Sequence, residues 1–104
     1  MTYCIVFTTA GNQAEADKIT AALLDARAAS CVQAAEIQSA YHWKGEIARA
    51  PEIHLTIKTT DALYPKAAEI IKANHSYDVP QIVKVPIADG LPAYLDWIRA
   101  ETKE

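Results

Sequence analysis

Residues 30–60, SCVQAAEIQSAYHWKGEIARAPEIHLTIKTT, decide how this chain folds. Ser30 to Trp43 reads as one strand, Lys44-Gly45 as a tight turn, and Glu46 onward as the returning arm of a hairpin. In that arm Ile53, Leu55 and Ile57 alternate with Glu52, His54, Thr56 and Lys58. The period of two sends the apolar set to one face of a sheet and the polar set to the other.

The first strand of this hairpin spans about 14 residues, where strands usually run to about 5–6. Its far half, Gln38 to Trp43, therefore projects past its own sheet. Ala50-Pro51 interrupts the opposite arm, as proline does at an edge or bulge. A lone ribbon carrying Tyr41 and Trp43 would be unstable and adhesive. Pairing with a neighbouring subunit removes both problems, so the chain is expected to oligomerise.

Upstream, Tyr3 to Thr9 has the β-branched and aromatic character of a buried strand. Asn12-x-x-Glu15 has capping-box spacing, and Ile19, Leu23 and Ala26 follow at helical spacing. This predicts a helix from Gln13 to Arg27. Downstream, Asp61 is placed to cap a second helix with the apolar stripe Leu63, Ala67, Ile70 and Ile71. Pro65 falls in its first turn, where a missing N–H costs least, and Asn74 ends it. Gln81 to Ile87 reads as a fourth strand. Leu91, Tyr94, Leu95 and Ile98, with Pro92 near the start, form a final short amphipathic helix.

The order β-α-β-β-α-β plus a terminal helix is the ferredoxin-like α+β pattern, one domain over residues 1–104. Right-handed crossovers place both main helices on one face of a four-stranded antiparallel sheet, with strand order 4-1-3-2. That order sets Cys4 and Cys31 two strand spacings apart, about 9.5 Å, beyond disulfide reach.

The chain is 51% hydrophobic and 22% charged, the balance of a folded globule, and its net charge is −3. Its basic residues are scattered, which argues against nucleic acid or an anionic membrane as partner. No apolar stretch approaches the roughly 20 residues needed to span a bilayer. The opening Met1 to Phe7 has no basic n-region and reads as a first strand, so a cytoplasmic location with reduced cysteines is expected.

The residues with chemical potential are ordered along the middle of the chain. They are Ser39-x-Tyr41-x-Trp43-x-Gly45, Glu52, Lys58-Thr59 and His75-x-Tyr77-x-x-Pro80. With Thr8-Thr9, Ala28-Ala29-x-Cys31-Val32 and Tyr94-x-x-Trp97, this combination strongly resembles the CutA divalent-cation tolerance family over nearly the whole length. The resemblance implies a ferredoxin-like, PII-like fold, a tight homotrimer, and a link to tolerance of copper and other divalent cations. It passes on no catalytic mechanism. Three positions depart from the family's usual pattern. Ser76 stands where a proline is usual, Gln81 where a glutamate is usual, and Gln33 where asparagine is common. Without the glutamate at 81 the chain has one anionic oxygen ligand fewer.

Each candidate has a functional and a structural reading. Cys31 offers a soft thiolate for copper or zinc, or a small hydrophobe on a strand. Cys4, between Tyr3 and Ile5, reads as core. His75, after a helix, offers an imidazole to copper or zinc, or satisfies the helix's last carbonyls. Glu52 shares a strand face with His54 and Lys58. It offers a carboxylate to a cation or an ion pair across subunits. Lys58 and Tyr77 are the candidates for holding a small anionic ligand. Tyr41, Trp43 and Tyr77 read more readily as interface anchors than as stacking platforms. His42 reads as hairpin surface.

No nucleophile–base–acid set, zinc helix or phosphate loop is present, nor the glycine-rich arginine signature of acylphosphatase, an enzyme of this size and fold. Taken with what the resemblance implies, the sequence points to a non-enzymatic cytoplasmic homotrimer. It would bind copper or another divalent cation in intersubunit clefts through His75, Glu52 and Cys31. The competing readings are a PII-like small-molecule sensor using Lys58 and Tyr77, and a trimeric scaffold.

Overall fold

The computed structural model describes residues 2–104; Met1, included in the expected domain, lies outside them. Strand β1 is Tyr3–Ala10, helix α1 Gln13–Asp25, strand β2 Cys31–Trp43 and strand β3 Glu46–Thr60. Helix α2 is Tyr64–Ala73, strand β4 Ile82–Pro86 and helix α3 Pro92–Glu101. The sheet order is β2-β3-β1-β4, all antiparallel, the order expected for a ferredoxin-like α+β domain.

The alternation in β3 is realised residue by residue. Ile53, Leu55, Ile57 and Thr59 are buried, and Glu52, His54, Thr56 and Lys58 between them are half-buried. Cys4, Val6 and Ala10 of β1 join the same core, with Ala16, Ile19 and Leu23 from α1 and Ala67 and Ile71 from α2. The opposite face of the sheet carries exposed Val83 and Val85 of β4. Tyr94 of α3 lies beside Lys58, with the ammonium 5.8 Å from the ring centroid. Of the apolar stripe expected in α3, only Ile98 is buried, while Leu91 and Tyr94 are exposed.

Some boundaries differ from expectation for local reasons. Helix α1 stops at Asp25, two residues early, because Arg27 takes φ 55°. The Ala28 and Arg27 amides then donate back to the Leu23 and Leu24 carbonyls, a left-handed termination that satisfies them. Asp61 does not cap α2 directly, since a 3₁₀ turn, Asp61–Leu63, intervenes. A hydrogen bond from Thr2 instead holds the Asp61 carboxyl below the usual carboxylate range, with the Lys84 ammonium 3.7 Å away. Pro51 does not interrupt β3: Gln38 pairs with it and the ladder continues to Trp43↔Glu46. The last β1 partner is Ala10↔Ile53, so Pro51 lies where β3 has an open edge and a missing N–H costs little.

The hairpin does project. Past Ile53 it is a two-stranded ribbon, and the molecule measures 45 × 26 × 21 Å. Lys44 and Gly45 both have positive φ, 50° and 80°, the type I′ geometry that matches strand twist. Trp43 and Ile47 near its tip are 60% and 64% exposed.

Candidate functional site in the loop after the second helix

A hydrogen-bonded polar cluster forms where the loop after α2 meets the end of β1. His75 is held by both ring nitrogens. Nε2 donates to the Thr9 carbonyl at 2.6 Å, and Nδ1 accepts from the Tyr77 amide at 3.1 Å. These partners require the neutral Nε2–H tautomer. The His75 side chain is fully buried. Glu15, in the first turn of α1, accepts from the Ser76 amide at 2.5 Å and from the Ser76 hydroxyl at 2.9 Å. Its Oε1 stands 3.4 Å from His75 Nδ1, an ion pair only if the ring gains a second proton.

Tyr77 continues the chain of contacts. Its ring packs against His75 with centroids 4.7 Å apart, and its hydroxyl donates to Glu52 Oε2 at 2.9 Å. Burial, then the Glu52 hydrogen bond and charge, push the phenol up to about 12, so it remains a donor at neutral pH. Gly11 leaves room for the ring, since a Cβ there would stand 3.2 Å from the Tyr77 hydroxyl. Beside Glu52 lies a cleft of about 250 Å³ lined by Gly11, Glu36, Ile37, Gln38, Pro51 and Ile53.

The other candidates lie elsewhere in the chain. Cys31 pairs directly with Lys58, and Ile37 pairs with Glu52. Six residues of strand, about 20 Å, therefore separate Cys31 and Lys58 from Glu52 and Tyr77. Lys58 donates to Gln33 at 2.6 Å. Both cysteines are free thiols, Cys31 half-buried on β2 and Cys4 buried on β1, with β3 between their strands.

The fit to a cation is a matter of donor count. Tyr77 occupies one Glu52 oxygen, and both His75 nitrogens have protein partners. Among the described residues, no group of three or more His, Cys, Asp or Glu side chains is arranged to hold a metal ion. One chain thus offers two carboxylates at the cleft, Glu52 and Glu36, fewer than three such donors, and a cation site there would need donors from another chain. Sequence reasoning missed Glu15 and Gly11 as members of this cluster. The spacing Asn12-x-x-Glu15 pointed Glu15 toward helix capping, and nothing local in sequence links it to Ser76, 61 residues on.

The chain thus combines a ferredoxin-like α+β sheet with a hydrogen-bonded loop that carries a carboxylate, a phenol and an imidazole. Residues 4–101 match the CutA1 divalent ion tolerance protein family. The chain is 41% identical over 99 residues to the divalent-cation tolerance protein CutA of Thermus thermophilus, covering 94% of this chain and 96% of that protein. It is 34% identical to the chloroplastic Protein CutA 1 of Oryza sativa subsp. japonica, covering 96% of this chain but only 57% of that protein. The solved structure of CutA1 from Oryza sativa superposes with a TM-score of 0.97 at 32% identity, covering 100% of this chain and 96% of that one. The structure of the periplasmic divalent cation tolerance protein CutA from Archaeoglobus fulgidus gives 0.95 at 34% identity, covering 97% and 99%. The chain belongs to the CutA divalent-cation tolerance family. No helix among the described residues is long and apolar enough to cross a membrane.

Proposed function

We propose that this protein acts as a cytoplasmic, PII-like homotrimer that binds copper or another divalent cation in clefts between subunits and so contributes to metal tolerance. The observation that carries the reading is Glu52. Its carboxylate is oriented by the Tyr77 hydroxyl at 2.9 Å, at the base of a ribbon that one chain leaves without a partner. A carboxylate held by a second residue is the usual arrangement of a metal ligand. The remaining oxygen or soft donors come from the adjacent subunit, where Cys31, half-buried beside Lys58, supplies a thiolate suited to Cu(I) or Zn²⁺. His75 acts behind the ligand by fixing the loop, and a direct ligand role would require it to give up Thr9 or Tyr77.

Calorimetric titration of reduced, metal-free protein with Zn²⁺ and Cu²⁺ tests this against Glu52→Gln and Cys31→Ser. Saturable binding at one ion per chain, weakened roughly tenfold or more by Glu52→Gln, supports the reading. Binding that ignores both substitutions contradicts it, since copper adheres to many exposed side chains.

The scaffold reading takes the exposed aromatics Tyr41, Trp43 and Tyr77 as pure interface. It predicts a trimer that Tyr41→Ala and Trp43→Ala weaken and that takes up no stoichiometric ion.

A further inference from the structure

Glu15 makes an unusual choice of partner. Asn12 caps α1 by accepting from the Glu15 amide at 2.8 Å, which is half of a capping box. In the complete motif the glutamate side chain returns to the cap residue's N–H. Here the Glu15 carboxylate turns away from its own helix and accepts both the amide and the hydroxyl of Ser76. Its side chain is only 11% exposed. A carboxylate that deep is tolerated only where charge-assisted hydrogen bonds replace its water.

Ser76 sits between the two residues that set the geometry at Glu52. On one side His75 anchors to Thr9, and on the other Tyr77 donates its amide to His75 and its hydroxyl to Glu52. We infer that Glu15 is a positioning residue for the cation site: by clasping Ser76 it seats Tyr77 on Glu52 and fixes the orientation of that carboxylate. The inference rests on the reading of Glu52 as a cation ligand. With Glu15 removed, residues 75–77 keep the Thr9 anchor, the bond from the His75 amide to the Lys72 carbonyl at the end of α2, and the Tyr77 hydroxyl bond itself.

Two measurements test it, and the first uses no metal. Amide hydrogen exchange and His75 imidazole ¹⁵N shifts are recorded by NMR for the wild-type trimer, Glu15→Ala and Glu15→Gln. In Glu15→Ala the Ser76 and Tyr77 amides exchange roughly tenfold or more faster, as loss of charge-assisted bonds requires, while Ile19 and Leu23 amides hold. The His75 shifts leave the single-tautomer pattern. Glu15→Gln keeps one acceptor oxygen and falls between. Unchanged protection in Glu15→Ala overturns the inference. So does loss of protection spread equally over Ile19 and Leu23, which would make Glu15 a general stabiliser.

The second measurement is Zn²⁺ affinity. Glu15→Ala binds roughly tenfold more weakly than wild type, with Glu15→Gln intermediate, the size of effect seen when a ligand's supporting partner is lost. Equal affinities overturn the positioning role. Wild-type protein that binds Zn²⁺ no better than Glu52→Gln refutes the cation reading itself. The metal-free exchange data then still decide whether Glu15 seats Tyr77.

Discussion

At Tyr77 burial and the Glu52 carboxylate act in the same direction, lifting the phenol from 10.0 to about 12. A folded-state value above the unfolded one means the contribution to stability is complete below pH 10 and is lost as pH rises from 10 to 12. The difference in urea midpoint between wild type and Tyr77→Phe should be constant up to about pH 10 and close by about pH 12. A gap independent of pH would contradict the raised phenol that burial and Glu52 together produce. Cys4 is lifted to about 11, first by burial and then by Asp61. It should resist alkylation in the folded protein at pH 8 and label only in denaturant, as peptide mapping would show. Leu55, fully buried at the centre of the core, should cost about 2–5 kcal/mol on conversion to alanine, measured by chemical denaturation.

At the scale of elements, the hairpin turn is the most exposed structural commitment. Gly45 at φ 80° meets nothing within 4 Å, so a side chain there has space but not conformation. Gly45→Ala should destabilise by about 1 kcal/mol, read by thermal unfolding, and an unchanged midpoint would argue against the type I′ turn. The strand alternation and the sheet order were legible in sequence because period two and crossover handedness are local rules. Pro51 misled because a proline's effect on a strand depends on whether a neighbour lies on its N–H side. That neighbour, β1, ends two residues short of Pro51 along β3 but lies 41 positions away in sequence. Arg27 misled because its side chain gives no sign of a left-handed φ, which is set by the closing hydrogen bonds from Ala28 and Arg27 itself.

At the scale of the molecule, the residues expected to share one site divide between two ends of the sheet. Cys31 and Glu52 lie on one strand face, yet antiparallel pairing puts six positions between them. Sequence showed which side chains were chemically capable, but the choice of partner was decided by the loop after α2, whose contacts join residues 25 to 66 positions apart. On this reading, chains must combine to complete the cation site. Native mass spectrometry of reduced, metal-free protein titrated with Zn²⁺, beside Glu52→Gln, tests this most directly. The expected result is a species of three 11.4 kDa chains that takes up three ions, with the uptake lost in Glu52→Gln. A single chain, or a trimer whose graded adducts persist in the variant, would contradict it.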